Sequence, residues 1–551
     1  MPVISVNSHD LMDLSDTDEV TLLENLPKLG IEVESIEEGK WELEVDPNRC
    51  DLLSVEGIGR ALRGFLGKET GRPDYLLKNS NISTEVELSV QEVRPYIVTA
   101  LVKNLKISES LLESFMDLQE KLHLTLGRER SKVAIGLHDF EAIEPPFTYK
   151  ASKPEEISFI PLEKSTEMNL EEILNKHEKG KKYAHILEEN DRYPVILDSN
   201  GKILSFPPII NGQLTEVNEN TDTIFIDMTG TDMRVLEQTL NILCTTLAER
   251  GADVYTTQVK YGNRNITYPD FSSDTVEFSP KEAKELLGIE LETKEIKEIL
   301  ERMRFSVSVL DDGESIAVEI PSYRHDIMHP WDIIEDIAIG YDYDNFEGSL
   351  PEEVTIGEPL GSSDLKNSLT ELLVGHGFHE VMNYMMTNPD REFDMMEVED
   401  RKDRLAKVEN PVSENSVSLR SWLLPNLLVN LRENRTEPLP HKFFEIGDVV
   451  NLPEQKTKLA GVFASSDAGF TDMKSILDGL LTNLGFEMSV KSKNHNSFIR
   501  GRCADVIVKE KKIGYFGEFH PKVLENYDIE NPVVGFELEL ENILKLKQEQ
   551  E

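Results

Sequence analysis

Cysteine is scarce in this sequence. Only Cys50, Cys244 and Cys503 occur in 551 residues, far apart and without the spacing of a metal site. That argues against a disulfide framework or a zinc cluster and for a reducing compartment. Long apolar runs are also missing, and none approaches the ~20 residues that span a bilayer. The opening stretch, MPVISVNSHDLMDLSDTDEV, has neither the basic n-region nor the apolar core of a signal peptide. The expectation is a soluble, cytoplasmic chain with no membrane contact. Basic charge is in short supply too: 58 Lys and Arg stand against 103 Asp and Glu, a formal net charge of −45. Such a surface repels nucleic acid, so the chain alone should grip a phosphate backbone poorly. It would suit a salt-rich cytoplasm, where self-repulsion is screened. No internal repeat and no low-complexity segment is found.

What is present reads as several α+β modules. Residues 1–85 form a small mixed unit: IEVESIEEGKWELEVDP alternates like strands, and DLLSVEGIGRALRGFLG is apolar at helical spacing with Gly67 as its stop. KNSNIST reads as a polar link. Residues 86–268 alternate strands (RPYIVTALVKNL, YPVILDSNGKILSFPP, DTIFIDMTG) with helices (LLESFMDLQEKLHLTLGRER, MRVLEQTLNILCTTLAERG). In residues 275–345, Ser279-Pro280 starts a helix and Gly288 stops it. A second helix, a hairpin turning at Asp311-Asp312-Gly313 and a third helix from Pro330 complete a winged-helix-like module. Residues 355–551 predict a largely antiparallel sheet with helices against it.

The third helix carries a cluster of acids. Asp332, Glu335 and Asp336 lie at i, i+3 and i+4 on one face, and Asp326 folds over the same face through Met328-His329-Pro330. Like charges at this spacing cost ~0.2–0.5 kcal/mol per pair. A hard cation would turn that repulsion into binding, and an oxygen-only set favours Mg²⁺ or Ca²⁺ over zinc. A solvated face, with Asp332 serving the helix dipole, explains the spacing as well.

PSYRHDIMHPWDIIEDIAIGYDYDN resembles the signature of a domain in the phenylalanyl-tRNA synthetase β-subunit family. PNRCDLLSVEGIGRALR, LGRERSKVAIGLHDFEAIEPPFTY, LRSWLLPNLL, KFFEIGDVV and FTDMKSILDGLL resemble further segments in the family's order, the second in its archaeal and eukaryotic branch. The resemblance implies a fourfold division: an N-terminal mixed domain, an editing domain, a winged-helix-like metal-binding domain, and a class II synthetase-like module that has lost its catalytic motifs. It implies Mg²⁺ at Asp326, Asp332, Glu335 and Asp336. It implies partnership with an α subunit in an (αβ)₂ heterotetramer that joins phenylalanine to tRNA(Phe) with ATP as substrate.

The residues agree with an inactive C-terminal module. No G-x-G-x-G-x-x-R segment exists to hold a triphosphate, and KFFEIG lacks an arginine before its glutamate. Arg420, Arg432 and Arg435 therefore read as structural or interfacial. By resemblance the second block hydrolyses tyrosine wrongly attached to the tRNA. Its candidate site is SFPPIINGQLTEV with IDMTGTD, where Ser205, Asn211, Asp227, Thr229 and Thr231 would read a phenol hydroxyl and position water. No Cys or His is present in these stretches, so direct attack by water is expected. Ordinary turn chemistry explains Asp-x-Thr-Gly-Thr equally. The run Arg128, Arg130, Lys132 reads as a solvated helix end rather than a tRNA contact. Two rivals remain: a winged-helix regulator, whose acidic third helix is wrong for a DNA groove, and a free-standing hydrolase of mischarged tRNA.

Overall fold

The structure, a computed structural model, describes residues 2–37, 39–310, 315–350, 355–399 and 404–549. The chain divides into two compact units, residues 1–350 and 351–551.

The first unit begins with the strands Val3–Asn7, Glu32–Glu37 and Lys40–Glu44 in an antiparallel sheet. The helix Val55–Phe65 follows, with the Ser54 hydroxyl accepting from the Gly57 N–H as N-cap, and Gly67 at φ +71° just past its end. The stretch expected to be a polar link, KNSNIST, lies instead inside the strand Leu77–Val86. This strand sits in the interior of a ten-stranded sheet, parallel both to Asp253–Tyr261 and to Phe147–Ser152. Its polar residues find partners there: the Ser80 hydroxyl donates to the Thr256 carbonyl at 2.6 Å. The large sheet thus crosses the edge expected at residue 85.

One continuous apolar core runs from Ile4 through Phe147 and Leu243 to Ile337, so the three stretches expected as separate modules share it. Buried charge ties them as well. Arg250 bonds Glu56 and Asp10, Arg63 bonds Glu249 at 2.6 Å, and the Arg60 guanidinium lies 3.5 Å from the Tyr323 ring centre. Arginine stacked on an aromatic face is weakly hydrated to begin with, which lowers the cost of burying it.

Residues 274–341 hold the three expected helices, Pro280–Leu287, Thr293–Arg302 and Pro330–Tyr341. They also hold a strand missed in the sequence, Asp274–Phe278, which pairs with Ile316–Ile320, itself paired with Ser306–Val309. Ser279 caps the first helix, and Gly288 follows it at φ +69°. The expected turn at Asp311-Asp312-Gly313 lies outside the described residues.

The second unit is a seven-stranded sheet whose long strands, from His441–Asn451 to Val533–Glu539, are antiparallel. The helices Gly361–Gly375 and Phe470–Asn483 belong to one apolar cluster, and Leu424–Glu433 to another. ADVIVKEKKIGYFGEF resolves into two strands, with Lys509 and Glu510 both at positive φ in the turn. No helix among the described residues is long and apolar enough to cross a membrane.

Candidate functional site

The strand Ile224–Gly230 is buried at every position and pairs with Tyr96–Lys103 on one side and Val133–Asp139 on the other. The opposite end of the same sheet is the hairpin Ile203–Phe206 with Ile210–Asn211. The sheet curls until these ends meet, and the Asn211 amide donates to the Leu137 carbonyl at 3.3 Å. A pocket of about 380 Å³ lies where they meet, lined by Ser205, Pro208, Ile209, Asn211, Gly136 and Asp227 among others.

Three of the five expected editing residues therefore come together: Ser205, Asn211 and Asp227. The Asp227 carboxylate is 2% exposed, and its Oδ2 lies 2.5 Å from His138 Nε2. His138 is fully buried, and its Nδ1 lies 2.8 Å from the Thr215 hydroxyl. The expectation that no histidine reaches the site fails. His138 comes from a neighbouring strand, outside the stretches read as the site. A signal was available: in VAIGLHD, Gly136 and His138 are two apart and so share one sheet face. Gly136 stands opposite Asp227 in register. A Cβ on Gly136 would come within 2.4 Å of Asp227 Oδ2 and 2.8 Å of His138 Nε2, so the pair exists because that residue has no side chain. The Ser205 hydroxyl is buried with no hydrogen-bond partner, a group left to be satisfied by whatever enters.

Thr229 and Thr231 are placed differently. The Thr229 hydroxyl and carbonyl both accept from Arg94, at 2.9 and 2.7 Å, in the protein core. Thr231 is exposed and reaches only the Ser131 carbonyl at 3.5 Å. Along the strand, Thr229 follows Asp227 at the same parity, but Arg94 engages it before the pocket can. The basic run is no helix end either: the helix stops at Leu124, and Arg128, Glu129 and Arg130 all take positive φ. Arg130 donates to the Pro208 and Ile209 carbonyls, and Lys132 pairs with Asp232 at 3.2 Å.

The four acids of the third helix line a second pocket of about 250 Å³. Arg324 already answers two of them: it bonds Asp326 at 2.7 Å and Asp336 at 2.6 Å, with all three side chains buried. Asp332 Oδ2 accepts the Met328 and His329 backbone N–H groups, both at 2.7 Å, as a helix cap. Glu335 is exposed and has no hydrogen bond or ion pair among the described residues. Partial burial and the charges of Asp336, Asp332 and Asp326 hold its pKa above the ordinary value. Among the described residues no group of three or more His, Cys, Asp or Glu is arranged to hold a metal ion.

In the second unit, Arg420 is buried. It bonds Glu445 at 2.6 Å and the Asp448 carbonyl at 2.9 Å, and so is spent on the fold. Arg435 pairs with Asp528 at the surface.

The chain matches three family models: the B3/4 domain over residues 92–260, the tRNA synthetase B5 domain over 276–343, and the phenylalanyl tRNA synthetase beta chain CLM domain over 347–540. It is 40% identical to the phenylalanine--tRNA ligase beta subunit of Methanosarcina acetivorans, over 99% of this chain and 100% of that one. It is 42% identical to that of Methanocaldococcus jannaschii, over 98% and 100%. A crystal structure of an N-terminal fragment of the phenylalanyl-tRNA synthetase beta subunit from Pyrococcus horikoshii is 39% identical. It covers 62% of this chain and 99% of its own, with a TM-score of 0.60. The chain belongs to the archaeal phenylalanine--tRNA ligase beta subunit family.

Proposed function

We propose that this chain acts with an α subunit, in an (αβ)₂ assembly, in the ATP-dependent attachment of phenylalanine to tRNA(Phe), and that it hydrolyses tyrosine mis-attached to that tRNA. The observation that carries the hydrolytic reading is the buried Asp227–His138 pair facing an unpartnered Ser205 hydroxyl across one pocket. A hydrophobic pocket rejects an added hydroxyl only weakly, so charging alone separates phenylalanine from tyrosine poorly and a second site is needed. In this reading Ser205 and the Asn211 wall receive the phenol. Asp227, held by the imidazole, orients a water and takes its proton as the water oxygen attacks the ester carbonyl. The tetrahedral intermediate collapses with loss of the tRNA 3′-terminal ribose oxygen, which recovers a proton. Free tyrosine and uncharged tRNA leave.

Adenylation belongs to the α subunit. This chain lacks the glycine- and arginine-rich segment that class II sites use for ATP, and Arg420 is engaged elsewhere. The C-terminal unit then acts as a class II-like scaffold and interface. Mg²⁺, in this proposal, is held directly by Glu335 and through water by Asp326, Asp332 and Asp336, because Arg324 and the helix cap already engage those three. Its role there is cohesion of the assembly.

The test is hydrolysis of tyrosyl-tRNA by the assembled enzyme. Asp227→Ala and Gly136→Ala should each slow it on the order of a hundredfold or more and leave phenylalanylation nearly intact. Normal hydrolysis by both variants would place the activity elsewhere.

A further inference from the structure

Arg94 is 1% exposed and makes four hydrogen bonds, all to neutral oxygens: the Thr229 hydroxyl and carbonyl, the Ser131 carbonyl at 3.1 Å and the Arg130 carbonyl at 3.0 Å. It makes no ion pair with a carboxylate among the described residues. Burying a charge against carbonyls alone is costly, so the arrangement calls for an explanation. The carbonyls belong to an equally unusual segment. Arg128, Glu129 and Arg130 sit consecutively at φ +45°, +54° and +68°, and none is glycine. Each such residue is disfavoured, and the conformation persists only where the surroundings over-determine it.

The turn in turn presents one side chain. The Arg130 guanidinium donates to the Ile209 carbonyl at 3.0 Å and the Pro208 carbonyl at 3.3 Å, touches Glu120, and lies 4.4 Å from the Tyr183 ring centre. Pro208 and Ile209 form the wall of the pocket between Ser205 and Asn211. A continuous path therefore runs from Thr229, two residues beyond Asp227, through Arg94 and the left-handed turn to the opposite wall.

We infer that Arg94 and Arg130 are positioning residues that set the distance between the Ser205 wall and the Asp227 carboxylate. In its catalytic consequence this rests on the hydrolytic reading above. A water held by Asp227 and a side chain held by Ser205 must meet at one carbonyl carbon, and a misplacement of about 1 Å is enough to cost on the order of a hundredfold in rate. The planar guanidinium suits this task because it grips two carbonyls at once, which a lysine cannot do.

The test uses the full chain assembled with its α subunit, with hydrogen exchange and tyrosyl-tRNA hydrolysis measured on the same samples. Arg130→Met should speed exchange of the Ile209, Ile210 and Gly212 amides, leave residues 127–132 protected, and lower kcat on the order of tenfold to a hundredfold with KM for tyrosyl-tRNA little changed. Arg94→Met should loosen both segments. Arg130→Lys should recover part of the rate. A raised KM with unchanged kcat and exchange would make Arg130 a tRNA contact and overturn the inference, as would wild-type exchange and rate in Arg130→Met. If Arg94→Met does not fold, Arg130→Met decides alone, since Arg130 lies near the surface. Loss of the hydrolytic reading would show separately, as wild-type rates in Asp227→Ala. The exchange data would then still decide whether the two arginines hold the wall.

Discussion

A carboxylate that is 2% exposed stays useful only if something keeps it oriented, and His138 does this for Asp227 at 2.5 Å. Glu335 is the opposite case, an exposed acid with neighbours of its own sign. Replacing it by glutamine removes repulsion worth ~0.2–0.5 kcal/mol per pair. In chelator, Glu335→Gln should therefore unfold at the same temperature as wild type or slightly higher. In millimolar Mg²⁺ only wild type should gain the added stability of a bound ligand. Thermal unfolding of the assembled enzyme with and without chelator checks this, and identical responses to Mg²⁺ would reduce Glu335 to a solvated acid. At this scale the sequence was legible where function and local pattern coincide. Asp227 and Ser205 stood in polar strand ends and were found. Thr229 sits at the same parity as Asp227, and only the three-dimensional position of Arg94 shows that its hydroxyl is already engaged. His138 was hidden because its partner lies 89 positions away along the chain.

Elements were easier to read than their neighbours. Helices with a capping residue and a glycine stop, such as Pro280–Leu287, were visible from local chemistry alone. The strand Leu77–Val86 was not, because its burial comes from partners more than sixty residues distant and not from its own hydrophobicity. One element carries a pH signature. The turn Asp390–Asp394 buries Glu392 completely, with Oε2 accepting from the Ser421 N–H and hydroxyl and Oε1 unpartnered. Burial pushes its pKa up to about 7 from 4.5. The folded chain thus holds this proton more tightly than the unfolded one. The stability it confers is full below the unfolded value and is lost as pH rises through 7. Glu392→Gln cannot lose it. Between about pH 4.5 and 7.5, wild type should lose on the order of 2–3 kcal/mol relative to Glu392→Gln, then run parallel to it. Denaturant unfolding across that range is the measurement, and a pH-independent difference would mean that Glu392 is charged throughout.

For the molecule as a whole, the division of labour makes a simple demand. The purified chain alone should show no phenylalanine-dependent exchange of pyrophosphate into ATP, because it has no triphosphate-binding segment. Adding the α subunit should restore the exchange, and robust exchange by the single chain would defeat the reading of an inactive C-terminal unit. The large sheet has a further consequence, in time rather than in space. Leu77 pairs with Val254, and Val86 with Tyr261. On the ribosome, one side of that interior strand must wait for some 175 residues of later synthesis before its neighbour emerges. An apolar strand left open for so long would be a template for other nascent chains. The lysine, asparagines and serines of KNSNIST make the waiting strand a poor one. Its polarity, which made it look like a linker, protects the half-made protein.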